Sequence, residues 1–505
     1  MFDFIFEKIS TSRVSLDTTK LLILSFIVAL ALRLYLLTTS LNSINSDEAI
    51  IGLMARHILK GEYPLFFYGQ KYYGPLDAYL TAPLFAVFGS NRIILKVVPI
   101  VSSLLFVYVI YWLGKTLYSE SIGLYSAMYA ALPPAMLTVR QLQADAAYPL
   151  VLLIGTFSLL VFNGFRDKFS WIRFWLLVCF FGIGFWLHPI MGYYLAAMIF
   201  VYLFWFLRIS LPKFTLRYRL VFIVSLFLVI SIILYLLGGI SFITRLRKYL
   251  IAIATVAIPV ILGIFKPYDQ YKRFTIERLA SGPLLNGVSV TIALILVILI
   301  LRAGLKNFKQ KNILLYTFVI ITALIYSEFV IFLQVNIYTL AYPRYISPIY
   351  SAIPLGMFGL FSYTKKSKLL RPLILVVLLG INLYGNLTFN YSKPSYLLRD
   401  WMVERGGTQY VYTDYWTGYW LAFESQEKVI PYIIDEQNEP GLNRYLPYKQ
   451  EVPSALNPVY IFKMGQPGEQ KFKQELIADQ VYYQSIQMSG YALYFDLSKP
   501  ISFVK

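Results

Sequence analysis

The 505-residue chain is poor in charge, with 14% Asp, Glu, Lys and Arg, against about 25% in an average soluble domain. It has one cysteine, Cys179, inside an apolar run. That excludes an intramolecular disulfide and argues against a thiolate metal site. Its two histidines, His57 and His188, lie far apart and give an imidazole metal centre little to build on, although carboxylates alone could hold a hard divalent cation. The P-loop, the Gly-rich dinucleotide fingerprint, His-Glu-x-x-His and Gly-x-Ser-x-Gly are all absent. Nucleotide-driven, metalloprotease and serine-hydrolase chemistry therefore have no visible support. There is no internal repeat and no low-complexity tract.

What is present is apolar: 58% of residues are hydrophobic and 17% aromatic. The hydrophobic residues gather in runs long enough to cross a bilayer, about 20 residues each. Spans are expected at 20–39, 93–113, 121–138, 147–163, 172–188, 190–207, 220–238, 285–302, 313–334, 345–363 and 371–389, about eleven helices in all. The first run, Leu21 to Thr39, lacks a small-residue cleavage site and is expected to stay as an anchor. The net charge of +19 would suggest nucleic acid in a soluble protein. Here much of it sits in short loops, so it reads as orientation in the membrane and contact with membrane lipids, not as nucleic-acid binding. Loops 207–220, 302–312 and 363–372 are basic and belong on the cytoplasmic side. Loop 40–92, loop 139–146, segment 239–284 and the C-terminal tail then lie outside. Residues 245–265 are expected as an interfacial or re-entrant helix on that outer face. From 391 to 505 charges of both signs appear, and short helices and strands alternate: helix 395–405, strand 409–413, helix 415–424, strand 428–433, strand 458–463, helix 468–478, and strands 480–486 and 490–497. The fold class is thus a polytopic α-helical membrane domain, residues 1–390, followed by a small extra-membrane α/β domain, residues 391–505.

The polar residues that stand out collect in the outer loops. Asp47-Glu48 opens a helix that starts near Ala49. The pair suits a helix cap; it equally suits a general base with a second carboxylate beside it. Arg56, His57 and Lys60 are expected away from that helix's apolar face. Asp145 lies in the next short outer loop, either salt-bridged to Arg140 or facing loop 40–92. His188 ends the fifth span, where a structural hydrogen bond competes with a role in substrate binding. Arg344 and Tyr345 open the tenth span; an Arg there either binds phosphate bidentately or snorkels to headgroups. Lys266 and Arg273 add positive charge nearby, again for a phosphate or for lipid. Tyr63 and Tyr73, in an aromatic tract, suit sugar stacking or a membrane-interface belt. Within the spans, Arg33 could snorkel outward. Glu328 is mid-span, and favours the rival reading of a transporter or flippase.

These residues resemble a known family. Asp47-Glu48-Ala49, Gly52-Leu53-Met54-Ala55, Gly61-Glu62-Tyr63-Pro64, Gly69-Gln70, Tyr73-Gly74-Pro75-Leu76, Ala82-Pro83 and Phe88-Gly89 together resemble the first outer loop of GT-C glycosyltransferases. These include protein O-mannosyltransferases and the bacterial lipid A aminoarabinose transferase. Asp145 is similar to the second-loop acid of that superfamily, and Pro343-Arg344-Tyr345 with Pro348 to its basic motif. The resemblance implies transfer of a sugar from a polyprenyl-phosphate donor to a hydroxyl of a glycan, lipid or protein, on the extracytoplasmic face of the cytoplasmic membrane, with inversion. It assigns Asp47 as base, Glu48 and Asp145 to the acceptor or a cation, and Arg344 with Tyr345 to the donor phosphate. A glycan polymerase or ligase of similar chemistry is the other enzymatic reading.

Overall fold

The computed structural model describes residues 16–39, 41–145, 147–167, 169–210, 263, 265–267, 276–278, 319, 322, 343–360, 367–388 and 396–503. The expected spans 220–238 and 285–302, most of 313–334 and of 245–265, and the residues Arg273 and Glu328 lie outside this set.

Three of the described helices are long and apolar enough to cross a membrane, Asp17–Thr38, Arg92–Leu117 and Tyr148–Phe165, and shorter apolar helices include Trp171–Leu187. This is an integral membrane protein. The expected span 121–138 is not one straight helix: it is two helices, Glu120–Ala131 and Ala135–Leu142, bent by 73° and together apolar enough to cross. Pro133 and Pro134 sit at the break, and neither has an N–H for a helix ladder.

The chain forms two compact units. The first takes in Met1–Leu36, Ile100–Leu142 and Pro149–Ser392. Its helix break leaves two carbonyls to be satisfied in a medium without water. Asn382 Nδ2 donates to Leu132 O at 2.9 Å and Asn386 Nδ2 to Pro133 O at 2.8 Å. Both amides come from the Ser367–Leu387 helix. Arg33 does not snorkel. It is wholly buried and donates to Ser103 Oγ (3.0 Å), to the carbonyls of Ala29 (3.1 Å) and Ala131 (2.6 Å), and to Gln141 Oε1 (2.9 Å). Internal partners reach every nitrogen of the guanidinium, so its interior position needs no route to the headgroups.

The second unit takes in Leu37–Pro99, Gln143–Tyr148 and Lys393–Lys505. It holds a five-stranded sheet in the order Val429–Ile433, Gln409–Thr413, Val459–Lys463, Tyr491–Phe495, Gln484–Met488. The first three strands run parallel and the last two pairings are antiparallel. The strand Val429–Ile433 is buried along its whole length, as parallel strands covered on both faces are. The tail does not build this core alone. Ile50, Leu53 and Met54 of the Ser46–Leu59 helix share one buried cluster with Tyr419, Trp420 and Phe423 of the Tyr415–Glu424 helix. Gly52 makes the approach close: a Cβ there would fall 2.2 Å from the Phe423 ring.

Candidate active site

The acids of loop 40–92 are arranged by a helix start. The cap of the Ser46–Leu59 helix is Asn45, one turn earlier than the expected start near Ala49. Its side chain accepts from Glu48 N–H at 2.8 Å, and Glu48 Oε2 accepts from Asn45 N–H at 3.2 Å. This reciprocal capping box takes Glu48 for the cap and leaves Asp47, in the first turn, out of it.

Glu48 is completely buried. Its Oε1 accepts from Lys96 Nζ at 2.6 Å and from Ala144 N–H at 3.2 Å. The ion pair is thus enclosed and hydrogen-bonded, the condition under which a buried pair persists. The Ala144 bond also brings the 143–148 loop, and Asp145 with it, to the start of the Asp47 helix. Asp145 is buried too.

A fourth carboxylate, Asp77, belongs to this group. It stands in the first turn of the Leu76–Phe88 helix and is buried. Burial pushes its ionisation up to about 7; the Ala147 N–H opposes this and the charge of Asp145 adds to it. Its Oδ2 has no hydrogen-bond partner among the described residues. Ala147 holds φ at 54°, in the left-handed region that an alanine enters at a cost of about 1–2 kcal/mol, so the loop that touches Asp77 is strained at that residue.

Asp47 itself is half-buried. Its Oδ1 accepts from Tyr415 OH at 2.5 Å, across 368 positions of sequence. The phenolic oxygen of Tyr415 accepts in turn from Arg444 Nε at 2.7 Å. Ser46 Oγ donates to Trp416 O at 2.8 Å beside this contact. Burial, then the Asp47 charge, holds Tyr415 well above the usual phenol range, so its OH remains a donor at neutral pH.

Further along the same helix, Arg56 and His57 are buried, not on a solvated face as expected. The tail supplies part of what these buried groups require, and Ser90 of the first loop accepts from Arg56 Nε at 2.6 Å. Arg56 donates to Phe423 O at 2.8 Å and its guanidinium sits 4.3 Å above the Phe423 ring. His57 meets Glu427 at 2.9 Å through Nε2 and Tyr68 OH at 2.9 Å through Nδ1, and stacks on Tyr445. Tyr445 and Tyr68 both donate to Glu62. Glu427 is held down at about 2: burial opposes ionisation, but bonds from His57, Lys60 and Tyr448 outweigh it.

The remaining candidates are placed as follows. Tyr63 is exposed. Tyr73 is half-buried, edge-on to Phe67. His188 is the cap between Leu187 and Pro189, its Nδ1 accepting from Ile190 N–H at 2.9 Å, which gives it a structural task. Arg344 and Tyr345 stand in the 3-10 segment Pro343–Ser351 and Lys266 in the strand Phe265–Pro267; the side chains of Arg344 and Lys266 lie outside the described set. The structure brings Asp47, Glu48 and Asp145 into one unit. Sequence reasoning missed Asp77, Lys96, Tyr415 and Arg444. Asp77 carried a signal, an acid in the first turn of an otherwise apolar helix; the other three carried none. Among the described residues no three His, Cys, Asp or Glu side chains converge on one point. A hard cation takes six or more oxygens, and the described donors do not make such a set, so no step below is routed through a metal.

The described fold is that of GT-C glycosyltransferases. ArnT from Cupriavidus metallidurans in its apo state superposes with a TM-score of 0.58 at 12% identity, over 95% of this chain and 98% of that one. The same enzyme bound to undecaprenyl phosphate gives 0.57 at 11%, with the same coverage. The Archaeoglobus fulgidus oligosaccharyltransferase in complex with Zn and sulfate gives 0.55 at 14%, over 94% of this chain and 72% of that one. Residues 73–235 match the family described as dolichyl-phosphate-mannose-protein mannosyltransferase. That match covers about a third of the chain, and the likeness to the solved structures is one of fold. No curated protein matches it in sequence.

Proposed function

We propose that this chain is a membrane glycosyltransferase. It moves a hexose or pentose from a polyprenyl-phosphate donor to the hydroxyl of a glycan, lipid or protein acceptor, on the outer face of the cytoplasmic membrane. The observation that carries this reading is Asp47. It is a half-buried carboxylate released from helix capping and held by a phenol, within a chain of GT-C fold. The undecaprenyl phosphate bound by the similar ArnT supports a lipid-linked donor.

In this reading the acceptor hydroxyl oxygen attacks the anomeric carbon. Its proton passes to Asp47, the bond from that carbon to the phosphate oxygen breaks, and the polyprenyl phosphate leaves with the electron pair. One displacement inverts the anomeric centre. General-base help of this kind contributes about 10²–10⁴-fold. Glu48 and Asp145 set the acceptor end: Glu48 through the Lys96 and Ala144 contacts that fix the helix start and the 143–148 loop, Asp145 by direct contact with the acceptor. Arg344, with Tyr345, takes the phosphate, as the resemblance implies, and Lys266 and Arg273 add positive charge for it. His188, Tyr63 and Tyr73 are assigned to the sugar and acceptor.

The test is turnover of purified protein with polyprenyl-phosphate sugars, followed as release of the lipid phosphate. Wild type is expected to turn over with inversion, and D47N to lose at least about a hundredfold. Wild-type rates in D47N would remove Asp47 as base. No turnover with any lipid-linked sugar, alongside substrate movement across vesicles, would replace the enzyme with a transporter.

A further inference from the structure

Asp47 has partners that the chemistry above does not use. Its Oδ1 is bonded by Tyr415, and Tyr415 by Arg444 Nε. Both residues are held on their own account. Asp414 caps the Tyr415–Glu424 helix, accepting from Trp416 N–H at 2.9 Å. Arg444 lies with its guanidinium 5.2 Å from the Phe67 ring and 5.2 Å from the Tyr415 ring, and its backbone N–H donates to Tyr419 OH. Gly69, at φ +70°, lets the first loop pass this residue: a Cβ there would meet Arg444 Cα at 3.1 Å. A guanidinium, a phenol and a carboxylate are thus strung in one line, each donor polarising the next.

We propose that Tyr415 and Arg444 of the C-terminal tail are positioning residues for Asp47, setting the plane of its carboxylate against the acceptor hydroxyl. This rests on Asp47 being the acceptor acid. Neither tail residue touches the reacting atoms. A carboxylate fixed through one oxygen meets the hydroxyl in a single orientation. Without the phenol, the carboxylate loses the bond that orients this oxygen and samples more of its χ range. A displacement of about 1 Å at such a centre costs about a hundredfold in rate.

Y415F and R444Q are the test, each read in two ways. In steady-state transfer, kcat is expected to fall about tenfold to a hundredfold with the donor KM unchanged and the melting temperature held. R444K, which keeps a donor beside the phenol, recovers part of the loss. Independently of any substrate, Asp47 is labelled in the detergent-solubilised full chain with a water-soluble carbodiimide and an amine, and quantified by peptide mass spectrometry. Labelling of Asp47 is expected to rise several-fold in both variants. Unchanged labelling together with unchanged kcat overturns the proposal, and leaves Asp47 as the base if D47N is inactive. Wild-type turnover in D47N overturns the base instead, and the labelling still decides whether the tail governs Asp47. Should Y415F fail to fold, R444Q carries both readouts.

Discussion

At the scale of single residues, the acids of this unit divide by environment. Burial first, and the neighbouring Asp145 charge in addition, raise Asp77 from 3.8 to about 7 against the pull of the Ala147 N–H. The folded chain therefore keeps this proton over an interval in which the unfolded chain has lost it. By linkage, stability falls as pH rises from about 4 to about 7 and is flat above. Glu427 has the opposite sign: lowered from 4.5 to about 2 in the fold, it contributes stability that is lost as pH falls through that range, most of it below the Asp77 interval. D77N should remove the Asp77 slope, so that its melting temperature exceeds wild type at pH 7.5 by more than at pH 4.5. Parallel melting curves across that range would refute the assignment. Glu48 gives a different forecast. K96M strands its carboxylate in a closed site, which costs about 3–5 kcal/mol, and E48Q/K96M, neutral at both positions, should recover part of that loss in a thermal-shift assay. D47N, altering a half-buried group, should melt close to wild type.

At the scale of elements, the break at Pro133–Pro134 shows how a bend is kept inside a membrane domain. The carbonyls released there are met by Asn382 and Asn386. Replacing Asn386 by valine leaves the Pro133 carbonyl only the long 3.4 Å bond from Thr138 Oγ1, a loss of about 0.5–1.5 kcal/mol, and is expected to lower the melting temperature. The two prolines could be read in advance as an interruption of 121–138, but the amides that answer them, some 250 positions later, could not. Most tail elements were legible because period and turn residues are local. Helix 415–424 stands as Tyr415–Glu424 and strand 409–413 as Gln409–Thr413. Strand 480–486 was placed too early. Gln480 takes a φ of 53° and Val481 N–H returns to Leu476 O, so the chain is still closing the preceding helix and the strand begins at Gln484. The candidate site divides the same way. Asp47, Glu48 and Asp145 were visible as acids in loops between apolar runs. Asp77 was hidden because only tertiary burial sets it apart, and Tyr415 because its contact with Asp47 spans 368 positions, which no periodicity encodes.

At the scale of the molecule, the question is whether the C-terminal tail is an appendage or half of a catalytic unit. Ile50, Leu53 and Met54 are at most 1% exposed, and they lie in a cluster shared with Tyr419, Trp420 and Phe423. Arg56 and His57 take their buried partners from Phe423 O and Glu427, Ser46 from Trp416 O and Asp47 from Tyr415. A chain ending at Ser392 would bare an apolar face on the first loop. It would also take the Phe423 carbonyl from Arg56 and Glu427 from His57, leaving them Ser90 and Tyr68. An appended domain, by contrast, could be removed with little effect on the loop. The outcomes diverge in limited proteolysis of the membrane-inserted protein. If the loop and tail form one core, the truncated chain is cut rapidly between 46 and 92, where the full chain is protected, and it transfers no sugar. Gly52→Leu should reproduce much of this with the tail still attached, because its side chain would occupy the place of the Phe423 ring; overpacking of this kind costs about 1–3 kcal/mol. A truncated chain that keeps its loop protected and its activity would make the tail dispensable and would separate Asp47 from everything the tail contributes.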